Sequence, residues 1–251
     1  MAAPESGLRP LAVISGDVGG GIRYAATLIG RKGPPSFPWG GVQIEGGSIL
    51  GAYLYGVSRY RSPCLPESLT LNVPKIHVAN AVALFRRLDG QVEVLESESR
   101  IHVKAHNIEG FWTRTHLWSN SHSLNRLFES SPLQTVLVET LLLQNMANRL
   151  AGLFEKIQVT VEDRGADARV VMTGLYKVDR GTVYFLGKLV YSGAGNQRTW
   201  DLTIDVKDLH DAASATTTPR TLLSICDRGL LVQSEGSEDK FETFLVGSER
   251  Q

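Results

Sequence analysis

Hydrophobic positions along residues 68–118 change period in a fixed order. Residues 68–74 (SLTLNVP) alternate apolar and polar side chains, the pattern of a half-buried strand. Residues 75–90 (KIHVANAVALFRRLDG) switch to helical spacing, which places Val78, Val82, Phe85 and Leu88 on one face. Three alternating runs follow at 91–97 (QVEVLES), 100–106 (RIHVKAH) and 110–118 (GFWTRTHLW), separated by short polar turns. The pattern predicts a strand, a helix and a three-stranded antiparallel meander.

The same order recurs. In residues 9–63 a strand at 11–15 (LAVIS) precedes a helix running from about Gly20 to Arg31, with Ile22, Ala25, Ala26 and Ile29 inward and Arg23, Thr27 and Arg31 outward. A Pro/Gly loop at 32–41 stops that helix, and strands follow with Gly46-Gly47 as a hairpin signal. Residues 119–132 (SNSHSLNRLFESSP) read as a linker whose large apolar residues are Leu124, Leu127 and Phe128. Beyond it a strand at 134–138 leads into a helix at 139–156, with Leu143, Met146, Ala147, Leu150 and Phe154 as its apolar stripe. Asn145, Asn148, Arg149 and Gly152 share another face of that helix. Antiparallel strands continue to residue 192. A last copy runs from a strand at 199–205 through a helix at 206–218 into three more strands. Asp-Arg-Gly occurs at 163–165, 179–181 and 227–229, each time between alternating runs, and reads as a hairpin turn in which Gly supplies positive φ.

The fold class expected is therefore α+β: two similar domains, residues 1–118 and 134–251, each of two β-α-β-β-β units, around a connector at 119–133. A chain of 251 residues is long enough for two such cores. Lys plus Arg number 26 and Asp plus Glu number 26, a formal net charge of +0, so nucleic-acid binding would require basic residues gathered on one surface. Cys64 and Cys226 lie in different halves with no CxxC, which fits a reducing cytoplasm better than a disulfide framework. No signal peptide and no membrane-length apolar run is visible.

Catalytic signals are weak. Gly16, Gly19, Gly20 and Gly21 match neither GxGxxG nor GxxxxGK[ST], so the Gly-rich stretch reads as a flexible helix entry and not as a phosphate cradle. His102 and His106 share a strand face with His116 on the next strand; half-exposed sheet histidines explain them without a metal, which would need further ligands. No GxSxG elbow places a nucleophile. The sequence points to no enzyme, no metal and no cofactor.

The repeat resembles the build of DNA sliding clamps. Residues 37–61 (FPWGGVQIEGGSILGAYLYGVSRYR) and 68–106 are similar to consecutive stretches of the bacterial DNA polymerase III beta clamp, in the strand, the "P-K" helix start and the alternating VEV and RIHV runs. Around Gly56 the wording departs from the acidic-Gly-basic pattern of that family. The beta clamp has three such domains and closes as a dimer, whereas two domains resemble the clamps that close as trimers. The resemblance implies a DNA-clamp fold with helices lining a ring and antiparallel sheets outside. It implies a processivity factor that encircles duplex DNA without reading bases and tethers a replicative polymerase, with a clamp loader as a further partner. A homotrimer in bacterial or phage-infected host cytoplasm, away from any membrane, is the expected setting.

Phosphate contact from the lining helices falls on Arg23, Arg31, Lys32, Lys75, Arg86, Arg87, Asn148, Arg149, Lys156, Lys207 and Arg220. The fourth helix is the awkward one, since Asp205, Asp208 and Asp211 surround Lys207. A partner-peptide pocket would use Tyr55, Gly56, Leu124, Leu127, Phe128, Phe244, Leu245 and Val246. The plainer account of the same residues is a solvated helix face and the packing of a domain junction. The rival function is a clamp-like scaffold or regulatory protein that does not encircle DNA.

Overall fold

The structure, a computed structural model, describes residues 7–15, 18–29, 40–53, 55–86, 91–105, 108–175, 181–193 and 199–247. Four copies of strand, helix and three-stranded meander follow one another. The first is β1 (Arg9–Ile14), α1 (Val18–Ala25, extended by a 3-10 turn at Ala26–Leu28), β2 (Gly41–Glu45), β3 (Ser48–Tyr53) and β4 (Gly56–Arg61). The second is β5 (Leu71–Pro74), α2 (Lys75–Arg86), β6 (Val92–Glu96), β7 (Arg100–Ala105) and β8 (Ile108–Thr113). A short helix α3 (Ser121–Leu127) precedes the third copy: β9 (Pro132–Glu139), α4 (Thr140–Ala151), β10 (Lys156–Asp163), β11 (Asp167–Leu175) and β12 (Thr182–Ser192). The fourth is β13 (Thr199–Asp205), α5 (Val206–Ala215), β14 (Arg220–Cys226), β15 (Gly229–Ser234) and β16 (Lys240–Val246).

The chain divides into two compact units, Met1–Leu54 with Ser58–Ser121, and Tyr55–Val57 with His122–Gln251. Within each unit the copies exchange their leading strands. In the first unit β1 pairs with β6 and β5 with β2; in the second β9 pairs with β14 and β13 with β10, all antiparallel. The resulting sheets run β1-β6-β7-β8 and β4-β3-β2-β5 in the first unit, and β13-β10-β11-β12-β9-β14-β15-β16 in the second. Neither copy completes a sheet alone, so a pair of copies is the smallest piece with a closed core.

The helices pack in pairs, α1 on α2 and α4 on α5. Ile22, Leu28 and Phe85 are buried beneath the first pair, and Leu143, Ala147, Leu150 and Leu209 beneath the second. Alternation sets the strands: Ile157, Val159 and Val161 of β10 face Ala168, Val170 and Met172 of β11 across the buried side. Close approach explains the glycines of α1. A Cβ on Gly19 would lie 2.9 Å from the Val82 carbonyl oxygen and 2.7 Å from Arg86 Cγ, and one on Gly21 would enter the Tyr60 ring. The stretch is therefore a tightly packed helix from Val18 onward and not the flexible entry expected from sequence.

Other expectations change in detail. The segment expected as a bare linker contains α3, with Leu124 and Phe128 buried. The strand expected to reach Trp118 stops at Thr113, and the helix expected to reach Lys156 stops at Ala151. The histidines are not alike: His102 is buried, His116 is exposed beyond β8, and His106 lies outside the described residues. The Gly46-Gly47 hairpin has both φ positive, at 55° and 70°. At Asp163–Gly165 the carboxylate accepts from Gly165 N–H at 2.8 Å, which makes an Asx-type turn, and Gly165 supplies a φ of 90°. At 227–229 the glycine is needed for space, since a Cβ there would meet the Phe244 ring and the Leu245 carbonyl. Asp179 and Arg180 lie outside the described residues. Among the described residues no helix is long and apolar enough to cross a membrane, and no cluster of metal-ligating side chains occurs.

Candidate nucleic-acid interface

Each of the four long helices turns one arc away from its unit. On α2 the exposed residues are Lys75, Ile76, Ala79, Asn80, Ala83 and Arg86, which at 100° per residue cover an arc of about 140°. Pro74 ends β5 and Lys75 N–H donates to the Gly40 carbonyl at 2.8 Å, which fixes where that helix starts. On α4 the exposed residues include Leu141, Asn145, Asn148 and Arg149. Arg23 is the exposed side chain of α1.

The fourth helix settles what sequence left open. Asp208 and Asp211 are each 6% exposed, turned inward, while Lys207 and Ser214 are exposed and His210 is half-buried between them. Lys207, His210 and Ser214 stand at i, i+3 and i+7, one face of the helix. His210 Nδ1 lies 3.1 Å from the Asp211 carboxylate, and Ser214 Oγ lies 3.4 Å from His210 Nε2. Asp205 is the N-cap, its carboxylate accepting from Lys207 N–H at 2.9 Å. That acid is consumed in starting the helix. No described residue of α1, α2, α4 or α5 presents an exposed carboxylate, while Arg23, Lys75, Arg86, Arg149 and Lys207 are all exposed.

The remaining sequence candidates are placed differently. Lys156 is exposed but opens strand β10, because α4 ends earlier than its apolar periodicity suggests, and Arg220, expected just past the fourth helix, is exposed at the start of β14. Arg220 is also paired with Glu235 at 2.8 Å, which offsets its charge. Arg31, Lys32 and Arg87 lie outside the described residues. Asn80, at the margin of the α2 arc away from Lys75 and Arg86, was missed; its spacing from Ile76 was the available signal.

Of the residues expected to form a peptide pocket, Phe244 and Leu245 are 0% and 1% exposed and belong to the core of the second unit. Leu124 and Phe128 are buried on and just after α3, with Leu127 half-buried. Tyr55 and Val246 are exposed, and Val246 N–H donates to the Tyr55 carbonyl at 2.9 Å, which brings those two together. Gly56 is buried.

No protein-family model and no curated protein sequence matches the chain. Solved structures do. The beta sliding clamp of Caulobacter crescentus superposes with a TM-score of 0.74 at 12% identity, over 100% of this chain and 68% of that one. The DNA polymerase III subunit beta of Pseudomonas aeruginosa gives 0.76 at 12% identity, over 100% and 69%. The Helicobacter pylori beta clamp gives 0.75 at 12%, over 100% and 68%. The chain therefore has the fold of the bacterial beta sliding clamps.

Proposed function

We propose that this chain, built on the sliding-clamp fold, is a processivity factor that encircles duplex DNA and tethers a polymerase to it. One observation carries the reading. The exposed arcs of the four long helices carry Arg23, Lys75, Arg86, Arg149 and Lys207 beside amide, small and, at Ile76 and Leu141, apolar side chains, and hold no exposed carboxylate among the described residues, although acids equal bases in the chain as a whole. Burying Asp208 and Asp211 while leaving Lys207 in solvent extends that bias to the one helix whose sequence opposes it. A surface of this kind attracts phosphates, and with few long donors per helix it holds them without reading base edges. There is no chemical step: the work is retention by topology and weak backbone contact.

The chain spans 68% of the length of the Caulobacter clamp, the share that two of three like domains would occupy. By the family's logic, three copies then supply six domains to a ring. Tyr55 and Val246, with Leu127 nearby in sequence to the buried part of α3, are the accessible members of the proposed polymerase-peptide surface.

Retention on DNA tests the proposal. The protein should stay on nicked circular duplex through gel filtration and leave when the circle is linearised. If about five phosphates are neutralised at once, log affinity should fall with log salt at a slope of about −4.5. The combined variant Arg23→Ala, Lys75→Ala, Arg86→Ala, Arg149→Ala should abolish retention with an unchanged circular-dichroism spectrum. Equal retention on circular and linear DNA would favour the scaffold that does not encircle it.

A further inference from the structure

The first unit contains a cleft used by neither the helix arcs nor the Tyr55–Val246 surface. It has a volume of about 260 Å³, lies between β5 and the segment after β8, and is lined by residues including Leu71, Asn72, Ile101, Arg114, His116 and Leu117. β5 ends its sheet, pairing with β2 on one side only. Its other edge is bridged by side chains where a ladder would otherwise run. The Trp112 indole donates to the Asn72 carbonyl at 3.0 Å, and the Asn72 amide donates to the His116 carbonyl at 3.1 Å. A strand residue directs its N–H and C=O to the same side, so the backbone of Asn72 faces the cleft.

The charge of the cleft has one sign. None of its lining residues is acidic, and Arg114 and His116 are exposed. The Arg114 side chain is 52% exposed and sits 3.4 Å from the buried Glu96 carboxylate, which Arg9 also engages. One carboxylate between two guanidiniums orients Arg114 and leaves positive charge over. Leu71 and Ile101 supply an apolar floor, and Leu117, 47% exposed, an apolar rim.

We propose that this cleft takes an extended peptide bearing a carboxylate. The peptide lies extended along the bridged edge of β5, drops an apolar side chain onto Leu71 and Ile101, and sets its acid on Arg114.

The probe is a fluorescein-labelled pentapeptide, Thr-Val-Glu-Val-Thr with blocked ends, against its Lys-for-Glu analogue, titrated with the full chain by fluorescence polarisation. The glutamate peptide should bind at least about tenfold more tightly than the lysine peptide, as expected for loss of one charge-assisted hydrogen bond. Arg114→Gln should remove that preference. Leu117→Glu, at an exposed site that carries no fold-critical packing, should reverse it. In a nitrogen-15 spectrum the Trp112 indole, identified by Trp112→Phe, should shift with the glutamate peptide. Equal affinity for both peptides, no binding of either at millimolar concentration, or a preference unchanged in Leu117→Glu overturns the proposal. Displacement of the peptide by a single-stranded 12-mer that both variants weaken would assign the cleft to nucleic acid and overturn it too.

Discussion

Gly19 shows how a single position controls the helix pair. With no side chain it lets α1 approach the Val82 carbonyl of α2 and rest against the stem of Arg86. Gly19→Val should overpack this contact and cost about 1–3 kcal/mol, visible as a lower denaturation midpoint with the cooperative slope unchanged. The two thiols should behave oppositely. Burial, and then the charge of Asp227, push the Cys226 thiol from 9.0 up to about 11, whereas Cys64 is exposed. At pH 8 iodoacetamide should modify Cys64 and spare Cys226 until the chain unfolds, read by peptide mass. Because the folded-state value is the raised one, the neutral thiol's contribution to stability is intact below pH 9 and is lost as pH climbs to about 11. Labelling of Cys226 at pH 8 as fast as Cys64 would contradict its burial.

At the scale of the element, α5 is the informative case. Its composition reads as acidic, yet its solvent arc is Lys207, His210 and Ser214. Lys207→Glu should weaken DNA retention and make the salt slope shallower by about 0.9, the share of one phosphate. Asp208→Asn, at a buried site, should leave that slope alone and act on stability. Asp205→Ala removes the capping acceptor of Lys207 N–H and should cost about 1 kcal/mol in denaturant unfolding. A Lys207→Glu protein with wild-type salt dependence would mean that α5 does not face DNA.

For the whole molecule, unpaired strand edges matter most. β8 ends its sheet with Ile108 and Phe111 exposed, and β12, which pairs with β9 over Lys188–Ser192, carries Tyr184 and Leu186, each 60% exposed, in the half before that pairing. Open apolar edges invite a neighbouring strand, so copies joined edge to edge would hide both. Native mass should give three times 27.5 kDa. Phe111→Glu or Leu186→Glu should each yield a monomer that retains its fold and no longer stays on circular DNA. A wild-type monomer at micromolar concentration would end the ring proposal.

Element order was legible in the sequence because period is local: alternation at residues 91–97 and 100–106, and 3.6-residue spacing at 75–86, each follow from a few neighbouring side chains. The basic helix residues Arg23, Lys75, Arg86 and Arg149 were legible for the same reason. What only the tertiary structure decided is nonlocal. The exchange of leading strands, β1 onto β6 and β9 onto β14, joins residues far apart in the chain, and no local pattern specifies which meander receives which strand. The inward turn of Asp208 and Asp211 and the burial of Leu124 and Phe128 on a helical connector depend on the surfaces that cover them. Period determines which face a side chain shares; only packing decides whether that face meets water.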